Sequence, residues 1–468
     1  MDRRTLLRNL LAGVPAGMLF PSILAGCKDD EFISANPFQG KVIIIGAGAA
    51  GVYAAYLLRK QGVSVRILEA TNRAGGRMHA DTSFADVPIE LGAEQIHGSN
   101  SLLIDLIKFI APDKLGEIPG GDLYWLGNQL RTENYLKESA ALEGAGATMF
   151  QLIESLGSYT GPNVTVSEYL NSVSGVSTLP LLDPRFKQIA NALIGNEYGS
   201  DNDRVGMAAL KEAESLYSSG MEDYILRSGS YWNIFETAFP DEVNQIEFSK
   251  PVTSIDYSGS SILVTAGGSS YTADRVLVTV PLGVLKSGSI AFSPALPAYK
   301  LDAISSIGMG TGMKIFLKFS TPFWNPGTAS IIGGTKVPEY WVTASGKNTA
   351  QFILTAFVMG ARAEYLAGLS DNQVKDELLA ELSTIFGGAD VAGKFLSMKI
   401  QNWMNEPYIK GAYSFPTLTS TGKPELLSKQ VNGKLFFAGE ATNFNGHQAT
   451  VHGAMESSFR AAKEILES

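Results

Sequence analysis

The chain reads as α/β: a Rossmann-like nucleotide-binding unit joined to a discontinuous α+β unit that carries a helical insertion. Three observations predict this. Residues 41–77 spell strand, glycine turn, helix, strand and acidic residue in succession. Buried-strand patterns at 276–280 and 435–438 fall far downstream of that stretch yet belong with the same unit. Between 101 and 239 the apolar spacing is mostly helical, as expected of a separate covering unit.

In the first stretch, Val42–Ile45 is a continuous apolar run, as for a parallel strand buried on both faces. Gly46, Gly48 and Gly51 then make GxGxxG. The first permits a tight turn, the second lets a pyrophosphate approach bare backbone, and the third lets the helix pack against the strand. The helix from about Ala50 to Gln61 aims its N–H groups and dipole at that phosphate, and Gly62 ends it. Val63–Leu68 is the second strand. Glu69 at its end suits the hydrogen bonds of an unphosphorylated ribose diol, hence FAD or NAD rather than NADP. A second glycine pair with an arginine, Gly75, Gly76 and Arg77, suits a longer cofactor that runs onward.

Length and composition bound the rest. The 468 residues can bury large cores, and with 45% hydrophobic and 18% charged residues the chain is an ordinary globular one. A net charge of −9 argues against nucleic acid as a partner. The single cysteine allows neither an intramolecular disulfide nor a cysteine metal cluster, and no metal site is expected.

The motif set GxGxxG, Glu69-Ala70 and Gly75-Gly76-Arg77 resembles the flavin-containing amine oxidases. That family includes monoamine and polyamine oxidases, L-amino-acid oxidases and lysine demethylases. The likeness spans 41–468 and is nearest to bacterial members of the polyamine and monoamine oxidase kind.

Residues 1–27 read as a leader. Arg3-Arg4-Thr5-Leu6-Leu7 resembles a twin-arginine export signal, and Leu24-Ala25-Gly26-Cys27 resembles a bacterial lipobox. Cys27 would then be lipidated and the protein exported, anchored by lipid at the periplasmic, outer-membrane or cell-surface side. An uncleaved amphipathic N-terminus is the alternative. Residues 28–40 read as a linker.

Segment 90–98, ELGAEQIHG, puts small residues Gly92 and Ala93 where a backbone must lie flat against a ring system. The resemblance places Glu94 and Gln95 at the cofactor as well, and turns His97 toward the substrate amine; an exposed turn histidine is the alternative. No arginine lies between Arg77 and Arg131, which argues against a substrate carboxylate held there. In the insertion, Leu102, Leu103, Leu106, Ile107 and Ile110 recur at helical spacing, with further periodic stretches near 140–159 and 186–195. Glu197 matches an amine-binding acid of polyamine oxidases, or else is a solvated loop carboxylate.

Residues 246–286 are strand-rich. The resemblance gives Val252 a backbone contact to adenine; as bare structure it belongs to a hairpin. Lys314 sits among Met, Ile, Phe and Leu within 313–319, where an unpaired ammonium is costly, so it needs a partner or a water. By resemblance it is the catalytic lysine that holds a water against flavin N5; a strand-edge lysine is the alternative. Gly308–Gly312, GMGTG, is not preceded by a strand and followed by a helix, so it is no second nucleotide site. Tyr413 would form one wall of an aromatic cage, or else be a core tyrosine. At the C-terminus, Gly439-Glu440 closes the cofactor site and a helix from Val451 to Leu466 aims its N-terminus at the flavin.

Two departures stand out. Thr450 occupies the place of the second cage tyrosine of monoamine oxidases, at the edge of both substrate and cofactor sites. Thr71 stands where many members have arginine. With no C-terminal cysteine, FAD is not cysteinyl-linked and is expected to be non-covalent. The domains expected are 41–98, 242–286 and 421–468 for the FAD/NAD(P)-binding unit, and 99–241 and 287–420 for the substrate unit. The resemblance implies hydride transfer from the α-carbon of an amine to flavin N5, hydrolysis of the imine to an aldehyde, and reduction of O2 to H2O2. An L-amino-acid oxidase using Arg185, Arg204 or Arg227, a flavin-dependent desaturase or dehydrogenase, and a non-catalytic FAD lipoprotein are the rivals.

Overall fold

A computed structural model describes residues 37–173, 180–220 and 222–468. The leader, Cys27 and most of the 28–40 linker lie outside these residues.

Five parallel strands form one sheet in the order Ile246–Glu247, Ser64–Leu68, Lys41–Ile45, Arg275–Val278, Leu435–Phe437. In the strand Lys41–Ile45, residues Val42 to Ile45 are apolar because both its faces are covered. Val42 and Ile44 pack with the helices Ala49–Lys60 and Val451–Leu466. Ile43 and Ile45 pack on the other side with Val252, Ile255 and Val264 of a four-stranded sheet. Close helix–strand contact depends on Gly51, where a Cβ would stand 1.9 Å from the Gly46 carbonyl oxygen. The C-terminal helix is tied to the first helix by Ser458, whose hydroxyl donates to the Ala50 carbonyl at 2.8 Å.

The second unit is built on a seven-stranded sheet ordered Phe395–Asn402, Gly312–Phe319, Phe352–Met359, Glu339–Val342, Thr328–Ile332, Gly121–Leu126, Gln129–Thr132. Only its Thr328–Ile332 and Gly121–Leu126 pair is parallel. Helix Asp371–Ile385 buries Val374, Leu378, Leu382 and Ile385 against Ile315, Leu317 and Ile331 of that sheet.

Two features differ from the sequence reading. The segment 101–239 is not wholly helical: it supplies the hairpin Gly121–Leu126/Gln129–Thr132 and the strand Asp223–Leu226, which lies between Ile96–His97 and Leu115–Glu117. Strands this short leave too brief an alternation to stand out from helical neighbours. Helices Leu102–Ile110 and Tyr231–Ala238, expected in the second unit, bury Leu103, Leu106, Ile107, Ile234 and Phe235 in the core of the first. The boundaries drawn at 98 and 242 therefore cut through that core. Among the described residues no helix is long and apolar enough to cross a membrane.

Candidate active site

A cleft of about 620 Å³ runs from the carboxyl ends of the parallel strands, at Ile45 and Leu68, to the seven-stranded sheet at Lys314, Trp341 and Phe357. Ligands of open parallel sheets sit at such strand ends. Nearly every residue singled out in the sequence lines it: Gly46, Gly48, Ala50, Glu69, Ala70, Gly75, Gly76, Arg77, Gly92, Ala93, Glu94, Gln95, His97, Glu197, Val252, Lys314, Tyr413, Gly439, Glu440, Thr450 and Val451. Gly51 does not line it and acts one layer behind, in the helix–strand contact.

At the nucleotide end, Gly48 caps the helix Ala49–Lys60 without any side-chain hydrogen bond, so the first-turn N–H groups face the cleft unscreened. A Cβ on Gly48 would meet nothing nearer than the Gly75 carbonyl at 4.0 Å. Protein packing therefore does not require glycine there, whereas a phosphate on the backbone would. The Glu69 carboxylate is buried. It accepts from the Ala47 N–H at 2.9 Å and, on its other oxygen, from the Thr71 N–H at 2.9 Å. The oxygen facing Thr71 also lies 2.9 Å from the Thr71 hydroxyl, so the oxygen that accepts from Ala47 is the one that keeps accepting capacity for a ribose hydroxyl.

At the far end Gly92 is fixed by protein: a Cβ would stand 1.9 Å from the Arg77 carbonyl oxygen. Trp403 donates its indole N–H to the Leu91 carbonyl at 2.9 Å and braces this flat stretch from behind. Arg77 and Glu440 bind each other at 2.8 Å. Arg77 also donates to the Ala412 carbonyl at 2.8 Å, and Glu440 accepts from the Ser414 hydroxyl at 2.6 Å and the Ala449 N–H at 3.0 Å. The pair thus stitches three chain segments around the cleft. The residues present fit FAD: an acidic ribose acceptor, an open glycine over a helix N-terminus, a flat small-residue floor and a second helix N-terminus at Val451 lie along one channel.

Lys314 is 4% exposed and has three acceptors: the Glu90 carbonyl at 3.0 Å, the Gly92 carbonyl at 2.7 Å and the Glu94 carboxylate at 2.8 Å. Three acceptors need three N–H donors, which only the ammonium has. Burial pulls its pKa down and Glu94 opposes that. The geometry therefore supplies the partner the sequence demanded, but all three protons are spent on protein, so a water held by Lys314 would have to displace one of these bonds. Glu94, expected to serve the cofactor, spends its side chain on lysines. Its second oxygen lies 3.5 Å from Lys347, a residue the sequence reading missed. Burial raises the Glu94 pKa, but Lys314 and Lys347 outweigh it and leave the carboxyl below its ordinary range.

Glu90 lies behind this group. One oxygen accepts from the Tyr231 N–H at 2.8 Å, and the other has no hydrogen-bond partner among the described residues. Burial pushes its pKa from 4.5 up to about 7. Between those values the folded state holds a proton that the unfolded state has released, so stability falls as pH rises through that window. Glu90→Gln is expected to leave stability near pH 5 little changed and to raise it at pH 8 by on the order of 3 kcal/mol. Denaturant unfolding at the two pH values checks this.

His97 is buried, and its Nδ1 lies 2.5 Å from Asp223 across the antiparallel pair His97/Asp223. Asp223 was missed because only the sheet brings it beside His97. The Tyr413 hydroxyl donates to the Glu197 carbonyl at 2.9 Å, which fixes the ring. Tyr413 packs with Trp341 and Phe357, whose rings lie 5.1 Å apart. The sequence offered one cage wall; the fold adds these two from neighbouring strands. Thr450 uses its hydroxyl as helix cap, accepting from the Gly453 N–H at 2.9 Å and donating to the His447 carbonyl at 2.7 Å. Glu197 is buried at the end of the Ala192–Asn196 π-turn rather than on a solvated loop. Glu212 and Glu214 of the helix Met207–Leu216 line the cleft as well. Arg185, Arg204 and Arg227 do not line the cleft. The first two pair with Asp183 and Glu364.

Residues 235–466 match the model of the flavin containing amine oxidoreductases, and 44–109 match that of an NAD(P)-binding Rossmann-like domain. Polyamine oxidase 4 of Oryza sativa subsp. japonica is 30% identical over 470 residues, covering 96% of this chain and 91% of that protein. The chain belongs to the flavin-containing amine oxidoreductase family. Human peroxisomal N(1)-acetyl-spermine/spermidine oxidase is 28% identical, with 92% and 95% covered. Human lysine-specific histone demethylase 2 is 29% identical over 96% of this chain, but the chain spans only 56% of its length. Among solved structures, putrescine oxidase bound to putrescine superposes with a TM-score of 0.75 at 22% identity, with 92% and 100% covered. Cyclohexylamine oxidase from Brevibacterium oxydans IH-35A gives 0.74 at 20% identity, with 92% and 99% covered. At these identities the structural likeness concerns the fold. Family membership makes FAD the cofactor that the cleft is read for.

Proposed function

We propose that the protein is an FAD-dependent oxidoreductase that oxidises an amine at the carbon next to nitrogen, and that its substrate carries a second cationic nitrogen. The observation that carries this is the make-up of one cleft: the buried Lys314, the rings of Tyr413, Trp341 and Phe357, and the carboxylates Glu197, Glu212 and Glu214 all line it. Bound FAD supplies two-electron acceptance, with O2 as terminal acceptor and H2O2 as product. Tyr413, Trp341 and Phe357 present π faces between which the reacting, neutral amine aligns. Glu197 and the Asp223-oriented His97 face the amine, and the carboxylates of Glu212 and Glu214 hold the distal ammonium. The cavity favours this over an L-amino-acid oxidase, since the three arginines considered for a substrate carboxylate are elsewhere.

The test is anaerobic mixing of the FAD-loaded protein with putrescine, spermidine, N-acetylspermidine, phenylethylamine and several L-amino acids, reading loss of flavin absorbance. Bleaching by diamines or polyamines well ahead of phenylethylamine is expected. Bleaching by amino acids alone overturns the reading. Bleaching without peroxide on re-aeration would favour a dehydrogenase using another acceptor.

We also propose export and lipidation at Cys27, supported by the leader sequence. Cys27→Ser is expected to move the protein from the membrane fraction to the soluble fraction; an unchanged distribution contradicts it.

A further inference from the structure

The Lys314 site is larger than one lysine. Lys347 sits on the loop after the strand Glu339–Val342, and its side chain turns inward until it is 6% exposed. It meets Glu94 at 3.5 Å, while Glu94 meets Lys314 at 2.8 Å, and all three side chains are buried to the same degree. Lys314 and Glu94 line the cleft; Lys347 does not. One buried carboxylate thus faces two ammoniums, an excess of one positive charge set behind the flat floor at Gly92 and Ala93. The other titratable groups packed here do not cancel it below neutral pH. Glu90 holds its proton up to about pH 7, and burial pushes the Tyr231 hydroxyl well up.

We propose that Lys347 is a positioning residue for the reaction: acting through Glu94, it maintains the surplus positive charge that favours the electron-rich, reduced form of the bound cofactor. Two links carry this. Geometrically, Lys347 occupies the Glu94 oxygen that Lys314 leaves free, so Glu94 stays ionised and Lys314 stays in its three-acceptor socket. Electrostatically, a charge in a water-excluded site acts over several ångströms with little screening. Without Lys347, Glu94 and Lys314 form a balanced pair and the surplus disappears. The proposal rests on the FAD reading of the cleft, but its test does not require that the amine be identified.

The experiment compares wild type, Lys347→Met and Lys347→Arg, each loaded with FAD. The midpoint potential of the bound flavin is measured with a chemical reductant and a reference dye, at pH 6 and pH 9. The expected result at pH 6 is a more negative potential in Lys347→Met and a near wild-type value in Lys347→Arg. Where an amine bleaches the flavin, reduction of Lys347→Met is expected to be about tenfold slower. The wild-type potential is expected to fall between pH 6 and pH 9 by more than that of Glu90→Gln, because ionised Glu90 cancels the surplus. A Lys347→Met potential equal to wild type, with FAD still bound, overturns the proposal and leaves Lys347 a packing residue. So does a shift that Arg fails to restore. If no amine reduces wild type while the potential shifts as expected, the substrate reading fails and the charge assignment stands.

Discussion

Lys314→Met is expected to slow reduction of the bound cofactor by amine roughly 10²–10³-fold, the usual cost of deleting a preorganised charged donor at a reacting centre. The ammonium cannot be removed silently. Its loss strips the Glu90 and Gly92 carbonyls of their donor and leaves Glu94 with Lys347 alone, at 3.5 Å. Breaking a buried ion pair costs about 3–5 kcal/mol, and the remaining lysine puts the expected loss at the low end, about 3 kcal/mol. Lys314→Arg restores charge but not the socket, since a planar fork cannot point one donor at each of three acceptors arranged around a point. Stopped-flow mixing under nitrogen separates the two effects: retained FAD absorbance with slow bleaching is the expected pair of results. Wild-type bleaching in Lys314→Met would assign the lysine to the fold alone.

What the sequence made legible follows from how local each signal is. The 41–77 stretch was readable because strand, turn, helix and strand are consecutive, and the structure places Lys41–Ile45, Ala49–Lys60 and Ser64–Leu68 within about a residue of the boundaries expected. The C-terminal helix Val451–Leu466 was legible for the same reason. Lys314 was legible because a lysine inside an apolar strand is a local contradiction that must be resolved somewhere. Its resolution was not legible: the pairing of Gly312–Phe319 with Phe352–Met359, and of that strand with Glu339–Val342, sets the loop of Lys347 nearby, while Glu94 comes from a segment outside that sheet, 220 positions from Lys314. Asp223 escaped for the same reason, being paired with His97 across 126 positions. Trp341 and Phe357 were not singled out in the sequence; neighbouring strands pack them with Tyr413.

His447 shows the converse, a suggestive arrangement with a structural outcome. The Ser219 hydroxyl lies 3.0 Å from His447 Nε2, and His447 Nδ1 lies 2.8 Å from Glu456. That order matches a nucleophile, a base and an orienting acid. Ser219 is 0% exposed, however, so no substrate carbonyl can reach it. The chain of bonds instead pins the segment 217–219 to the C-terminal helix, beside the cleft that Tyr217 and Glu214 line.

The glycines of the first turn separate what the fold needs from what the ligand needs. Gly51→Ala is expected to destabilise the protein by several kcal/mol. Its Cβ would be forced to within 1.9 Å of the Gly46 carbonyl oxygen, and the obstacle is backbone that cannot swing aside. Gly48→Ala meets only the Gly75 carbonyl, at 4.0 Å, and Gly48 does not adopt a positive φ. The apoprotein is therefore expected to keep its unfolding midpoint. The methyl instead projects into the space over the helix N-terminus where a pyrophosphate would lie, so the expected loss is in FAD affinity, at least about tenfold, or 1.4 kcal/mol. Unfolding of the apoproteins and titration of FAD into each distinguish the two. A Gly48→Ala protein that binds FAD as wild type does would move the pyrophosphate away from this turn. A Gly51→Ala protein as stable as wild type would mean that the helix can lift from the strand without loss. In GxGxxG the second and third glycines both look indispensable on the page of sequence; only the neighbours of an imagined Cβ tell whether the protein or its ligand made glycine necessary.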